Sequence, residues 1–437
     1  MQMHRSKENV FKMLVCLFAF VLLLGVAPTV QAEETEAPVD VEELFKKALA
    51  DREEGNFKDA ILGFHSILSS QPMLHRARLE LAVAYYKSLQ YQESLEQAKK
   101  VLDDPDTPPN VRVAVLAFMA HAKSGAAIVS AKSFWRFPIS VGYLHDSNVN
   151  VGPSTTVIPG VGELDASSGA TSDTAKVIMA GISHNYQTGK MLNWGDTPAM
   201  FFWQSGVNVY HRGYFDEDQY DLDVISLRTG PALITRGKWR ANLNFQEDII
   251  RYGGDKLADY HSIMPSVTLH FPYAIEATLD ATFTWRDFDR DIDELRDSDY
   301  IAPRLSVGYV TPDKKLSFLA GYQFFDEDAD GDRYSNDGYN IFGGFSWNFI
   351  ENATFYFNYN FRDIEYDGAI LDLDLMLKKR DEEEDRYTVG CVYTIKSENL
   401  FNDWSFDVKA IEVNHDSNAI LYDYDRTQYE FTLSKTF

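Results

Sequence analysis

The chain has 437 residues, a formal net charge of −25, 14% aromatic residues and two cysteines. That charge argues against a nucleic-acid partner, since phosphate binding needs the opposite sign. The length exceeds one ordinary domain. Beyond the first 32 residues, no apolar run of about 18 residues offers a transmembrane helix.

The N-terminus reads as a secretory signal. Arg5, Lys7 and Lys12 form a basic segment, Met13 to Val26 is nearly all apolar, and Val30-Gln31-Ala32 supplies compact residues before a cut. Cleavage is expected after Ala32, giving a signal peptide over 1–32 and a linker over 33–39. The apolar run is short for a retained anchor. Cleavage would remove three basic residues and one acid, so the mature chain is more acidic still. Cys16 leaves with the signal, and no small-residue lipobox precedes it. Cys391 alone cannot make an internal disulfide.

Residues 40–130 carry a helical repeat. Gly55-Asn56-Phe57, then Ala60, Phe64, Ile67 and Pro72, fit the second half of a tetratricopeptide unit. One period of about 34 residues later, Tyr91, Ser94, Ala98 and Val101 take the matching roles. Small residues let the helices approach, and bulky ones fill the seam. The Trp and Gly usual in the first helix are weak, with Ala82 and Tyr85 serving in the second unit. A third helix, about 110–123, starts after Pro108-Pro109 and is expected to cap the stack.

From residue 134 to 437 the pattern turns to alternation. Ile275, Ala277, Leu279, Ala281, Phe283 and Trp285 share one face, and Glu276, Thr278, Asp280, Thr282, Thr284 and Arg286 the other. Segments starting at Trp239, Ala353 and Trp404 repeat this. Strand starts fall near Phe134, Thr174, Ala199, Tyr220, Trp239, Tyr260, Ala274, Tyr300, Lys315, Asp337, Asn352, Asp385, Asp403 and Arg426, about fourteen in all. Apolar-out and polar-in alternation predicts an antiparallel transmembrane β-barrel, which must close to pair every backbone group. Short turns at 235–238, 272–273, 311–314 and 350–351 alternate with long polar loops at 146–173, 288–299, 326–336 and 367–384. Short turns belong on the periplasmic side. Both barrel ends and the helical domain are then periplasmic, in the outer membrane of a Gram-negative bacterium.

The final strand places Tyr429, Phe431, Leu433 and Phe437 on one parity. A terminal Phe after alternating apolar residues resembles the signal read by the barrel-assembly machinery. Lys435 departs from it.

A signal peptide, a short tetratricopeptide domain and a barrel of about fourteen strands together resemble the surface lipoprotein assembly modifier family. The segment Phe137-Pro138-Ile139-Ser140-Val141-Gly142-Tyr143, then His145-Asp146-Ser147-Asn148-Val149-Asn150, is similar to that family's entry into its barrel. The stretch from Arg286 to Tyr309, with Arg304, is also similar. The resemblance implies delivery of lipoproteins or secreted proteins to the cell surface. The helical domain would engage the client or its chaperone, the barrel would supply the passage, and no catalytic residues are implied. The helical domain is short for this family.

Other chemistry is sparse. Asp326, Asp328, Asp330 and Asp332, with Gly331 and the later Asp337, match much of an EF-hand loop, so calcium in an extracellular loop is one expectation. Asp337 stands where a bidentate Glu is usual, and strands flank the run. The alternative is a solvated acidic loop, or one bridged by divalent ions to lipopolysaccharide. Glu276, Asp280, Arg286, Arg362, Asp407 and Lys409 are expected in the lumen, either as a conduit or satisfying one another. His-Asp-Ser-Asn occurs at His145 and again at His415, a repetition that chance allows. No catalytic motif is present, and the ten histidines are scattered, so no enzymatic activity is expected. Three functions remain open: a protein-delivery barrel, a polysaccharide-export porin, and a passive porin or receptor with a periplasmic scaffold domain.

Overall fold

The computed structural model describes residues 40–437 except 106, 131–132, 159–161, 166–167, 195–196, 236–237, 373–375 and 398–401. The expected signal peptide and linker lie outside the described residues.

Among the described residues, the first unit holds five helices: α1 Val41–Glu54, α2 Phe57–Ser70, α3 His75–Lys87, α4 Tyr91–Leu102 and α5 Pro109–Ser130. Val41 and His75, like Phe57 and Tyr91, open equivalent helices one repeat period apart. Asp40 caps α1 by accepting from the Glu42 amide at 2.9 Å. Gly55 ends α1 at φ 82°, a left-handed cap that glycine enters without Cβ strain. Phe45, Ala48, Ala60, Phe64, Ile67 and Leu81 form one buried cluster, and Ala82, Ala98, Val101 and Val115 a second. Ser94, also buried, donates its hydroxyl to the Ala82 carbonyl at 2.7 Å, tying α4 to α3. The small residue at that seam therefore supplies a bond as well as space. The capping helix is longer than its sequence pattern suggested and begins at Pro109 itself.

The second unit is a closed antiparallel barrel of fourteen strands. Its first strand is β1 Ser133–Arg136 continued by β2 Pro138–Asp146. Two-residue strands β3 Val157–Ile158 and β4 Gly162–Glu163 form a small hairpin in the loop that follows. The remaining strands are β5 Asp173–Trp194, β6 Thr197–Tyr214, β7 Leu222–Thr235, β8 Trp239–Tyr252, β9 Asp255–Phe271, β10 Ile275–Phe288 and β11 Ser298–Val310. They continue with β12 Leu316–Ala329, β13 Asn336–Ile350, β14 Ala353–Leu371, β15 Leu377–Thr394, β16 Ser405–Ser417 and β17 Tyr424–Thr436. Each pairs with its chain neighbours, and β17 pairs with β2 to close the ring. Phe137 and Phe437 exchange backbone hydrogen bonds of 2.9 and 3.1 Å across the break between β1 and β2. Among the described residues, closure pairs both edges of every barrel strand except the short β1 segment, which pairs with β5 alone.

Directly paired residues share a face, so the ladders assign inside and outside. Leu279 pairs with Leu305, which pairs with Tyr322, which pairs with Ile341. This apolar row faces outward, and Leu305, Tyr322 and Ile341 are exposed. Below it, Tyr309, Phe318, Phe345 and Phe355 make a chain of ring contacts of 6.0 to 6.4 Å, one arc of an aromatic girdle. We call the end with this girdle and both chain ends of the barrel the lower end. Above the row the outward face turns acidic. Asp326 opposes Asp337, Asp337 opposes Glu365, and Asp363 opposes Glu383. Like charges directly opposed destabilise a ladder unless water screens them. These strand ends therefore stand above the bilayer, which accounts for strands of 19 and 18 residues where about 9–11 suffice to cross.

Two loop expectations are corrected. Most of 367–384 is ladder, with Ala369 paired to Lys379 and Leu371 to Leu377, so β14 and β15 form a projecting hairpin. The lysine and acid run there hid its alternation. Length also fails to mark the side uniformly. The upper connection between β8 and β9 is only Gly253-Gly254, at φ 59° and 87°, a tight turn that needs both glycines. The lower turn after β11 is shaped by Asp313, which accepts from the Thr311 hydroxyl at 2.6 Å and the Lys315 amide at 3.1 Å. These two bonds hold its carboxyl below the ordinary carboxylate range.

Candidate functional site: the barrel lumen

The inward face differs between the two ends. In the lower half it carries Ser140, Gly142, Thr278, Ser306, Gly308, Ser317, Gly344, Ser346 and Gly390, paired around the ring. These residues bring little volume into the lumen. Larger groups stand among them on the same face, including Arg240, His270, Glu276, Leu319, Asp407, Lys409 and Glu430. Tyr356 stretches across Gly390, where an added Cβ would stand 2.4 Å from its ring, and donates to Asp407 at 2.9 Å.

In the upper half the inward residues are large and stacked. Arg380 lies between Tyr366 and Tyr422, its guanidinium carbon 3.6 and 4.1 Å from the ring centroids. Arg286 lies over Tyr300 at 4.3 Å and Tyr260 at 5.3 Å, and Arg362 lies over Phe325 at 4.4 Å. Such stacking keeps a guanidinium charged while covering its faces, leaving its edges for hydrogen bonds. Arg286 donates to Glu327 at 2.5 Å, and Glu327 also accepts from Ser298 at 2.8 Å and Asn336 at 3.2 Å. Arg380 donates to Glu382 at 3.1 Å. His415 stands 3.3 Å from Glu382 and 3.6 Å from Glu384. Phe325, Val413, Arg380, Glu382 and His415 are all buried. Side chains facing an open aqueous pore could not be, so this half of the lumen is filled.

A third group sits beside the barrel's closure. Asp146, with no solvent exposure, accepts from Arg426, from Tyr214 at 3.1 Å, from Gln428 at 2.7 Å and from the Asn148 amide at 3.1 Å. Tyr214 reaches it over β5. Asn148 then bonds both the amide and carbonyl of Gly152 and donates to the Asp425 carbonyl. The long loop after β2 is thereby latched to the upper end of β17.

Between these groups, side chains from β9, β10, β12, β13, β14 and β15 and from the loop before β17 surround a cavity of about 300 Å³. Only a point inside the barrel can touch strands so far apart around the ring. Arg286, Arg296, Arg380 and Glu327 are its charged lining residues.

All six expected lumen residues face inward. Glu276 meets Arg240 and His270, each at 3.0 Å, and Asp280 meets Arg304 at 3.1 Å. Lys409 meets Glu430 at 3.0 Å. Asp407 is held by Tyr356, while Arg286 and Arg362 belong to the upper stack. Pairing along the wall is therefore the rule among them. Sequence reasoning missed Arg380, Glu382, Tyr366 and Tyr422, the centre of the upper group. It also set aside His415, which faces inward although the matching His145 faces outward.

Asp326 and Asp328 lie on β12 and Asp330 and Asp332 in the following loop, and Asp326 opposes Asp337 across the ladder. Among the described residues, no group of three or more His, Cys, Asp or Glu side chains is placed to hold a metal ion. Tyr429, Phe431 and Leu433 face outward on β17, with Phe437 exposed at its end.

Fourteen closed strands with an apolar outside and a polar inside define an outer-membrane β-barrel, preceded by a short helical region. The sequence matches no family model and no curated protein. Among solved structures, OprD of Pseudomonas aeruginosa is similar at TM-score 0.36 and 9% identity, over 70% of this chain and 95% of that one. OmpT of Vibrio cholerae lacking loop L8 is similar at 0.39 and 9%, over 70% and 100%. OccAB1 of Acinetobacter baumannii is similar at 0.37 and 9%, over 70% and 96%.

Proposed function

We propose that this chain is a narrow, solute-selective channel of the outer membrane, with a periplasmic docking domain built from two tetratricopeptide units and a capping helix. The observation that carries the channel reading is the upper cavity. It is of small-molecule size, it lies inside the ring, and stacked arginines and tyrosines surround it. Below it the lumen wall mixes hydroxyl residues and glycines with ion pairs such as Arg240–Glu276 and Lys409–Glu430, a polar lining that suits passage of a hydrated solute. The recurring helix starts and the buried Ala60, Phe64, Ser94 and Ala98 seam support the tetratricopeptide reading, and such stacks dock peptide segments. Lipid and lipopolysaccharide would cover the outer face, and the assembly machinery would read β17.

Delivery of lipoproteins or secreted proteins to the surface rests on the family resemblance of the 137–150 segment. A filled upper half counts against it, because an extended polypeptide needs a continuous opening. A polysaccharide-export role would draw on the aromatic lining of the same cavity.

The test is conductance of the purified full-length chain in planar bilayers, together with solute entry into proteoliposomes. A steady small conductance with unequal entry of small solutes is expected. A membrane left sealed, with named surface proteins retained in the periplasm of a deletion strain, would overturn the channel reading in favour of protein delivery.

A further inference from the structure

We infer that α5 is an open half-repeat that binds an acidic amphipathic helix of a partner protein. The inference deepens the docking reading and rests on its tetratricopeptide repeats, not on the channel. Val41, His75 and Pro109 open α1, α3 and α5 one repeat period apart, so α5 is the first helix of a third pair. In the first two pairs the second helix covers the first. Phe45 and Ala48 of α1 are buried under α2, where Phe64 meets Phe45 at 5.8 Å and a Cβ added to Gly63 would stand 2.9 Å from Ala48. Ala82 of α3 is buried under α4, whose Ser94 bonds its carbonyl. One period further on, Val113 and Leu116 hold the positions of Phe45 and Ala48 on α5, yet they are 68% and 53% exposed. Val113, Leu116, Ala117 and Ala120 form one exposed apolar face. Val115, Phe118 and Met119 pack the other side of α5 against α3 and α4.

The chain that follows supplies no second helix, because α5 ends at Ser130 and β1 begins at Ser133. With the signal removed, the 33–39 linker is too short to be one. The covering helix therefore comes from another molecule, and charge says of what kind. α5 carries Arg112, His121 and Lys123 and no acid, in a chain with 66 Asp and Glu. A second copy of α5 would bring those cations against themselves. The register also places one contact. Arg112 lies one period beyond Arg78, which donates to Gln97 of the covering helix α4 at 3.1 Å. Both arginines bond a backbone carbonyl of the turn before their helix, so Arg112 is held as Arg78 is. An acid at the Gln97 position of an incoming helix would meet Arg112 in a charge-assisted bond.

The experiment is fluorescence anisotropy of a labelled peptide of residues 88–104, titrated with the full-length protein in detergent micelles. This peptide spans α4, which covers the same position of α3 and carries Glu93 and Glu96. It should bind, and its Gln97→Glu form should bind about fivefold tighter, the worth of one exposed ion pair. R112Q should remove that advantage. V113E and L116E should each weaken binding about tenfold or more, since a carboxylate is then buried in the seam. Both positions are exposed, so the stack stays folded, which circular dichroism checks. L62E, at a similarly exposed position of α2, should change nothing. Binding that persists in V113E and L116E would overturn this face and leave a docking domain. A wild-type chain that binds no peptide would overturn both. A wild-type dimer that V113E converts to monomers would make the occupant a second copy and overturn the acidic partner.

Discussion

The two halves of the lumen share one ring of strands, yet one mixes small residues with partly exposed ion pairs along the wall and the other is filled by a buried, stacked network. The strand number sets the circumference alike for both. What differs is side-chain volume. Ser306 and Gly308 face in at the lower end of β11, and Tyr300 at its upper end. The same contrast runs along β14, from Thr354 to Arg362 and Tyr366. A barrel's passage is thus decided by residue size along each strand and not by strand count. The filled half also carries the buried polar network, so the parts that would select a solute are the parts that hold the upper barrel together.

The widest gap between the halves should appear in stability. Arg426→Ala strips the fully buried Asp146 of its charge partner and should cost about 3–5 kcal/mol. Lys409→Ala breaks a lower, partly exposed pair and should cost less than about 1 kcal/mol. The readout is the temperature at which the folded band converts in unheated-sample electrophoresis. Equal losses would break the contrast. Next in size is packing within the lower half. Gly390→Ala drives a methyl into the Tyr356 ring and should lower stability by about 1–3 kcal/mol. The double variant with Tyr356→Phe should keep the clash with the ring carbons, shed the one with the hydroxyl, and lose the Asp407 bond besides.

Conductance sharpens the comparison further. Tyr422→Ala opens the stack on Arg380 and should raise single-channel conductance severalfold. Ser306→Phe, which narrows the lower half, should change it little, because the tighter of two resistances in series dominates. A larger effect from Ser306→Phe would place the constriction at the wrong end. The smallest effect belongs to the lower turn. Asp313 has a depressed pKa, so its contribution is present above the unfolded carboxylate pKa of about 3.9 and is lost as pH falls through the folded value. Asp313→Asn should therefore weaken the barrel slightly at neutral pH, and thermal unfolding of the two proteins should converge in strong acid.

Much of this was legible from residues alone. The alternation in Ile275 to Arg286 assigned its faces correctly, and the six charged residues expected inside are inside. The repeat offset located both helical hairpins. What escaped was the upper cluster. Lys378 to Asp385 is charged at every position, so no apolar parity marks which side faces in, and the segment reads as loop. Only pairing with β14 puts Arg380, Glu382 and Glu384 on the inner face. His415 shows the same limit, since its tetrapeptide occurs twice with opposite orientation.

By itself the sequence determined the class of architecture: a short helical region first and a closed barrel second, with lipid and water faces set by a period of two. Those features are local, and hydrophobic periodicity records them residue by residue. The tertiary structure alone decided which charges meet and where the lumen narrows. Arg380 and Tyr422, or Arg426 and Asp146, are far apart in the chain and meet only because the ring closes, which no local pattern encodes.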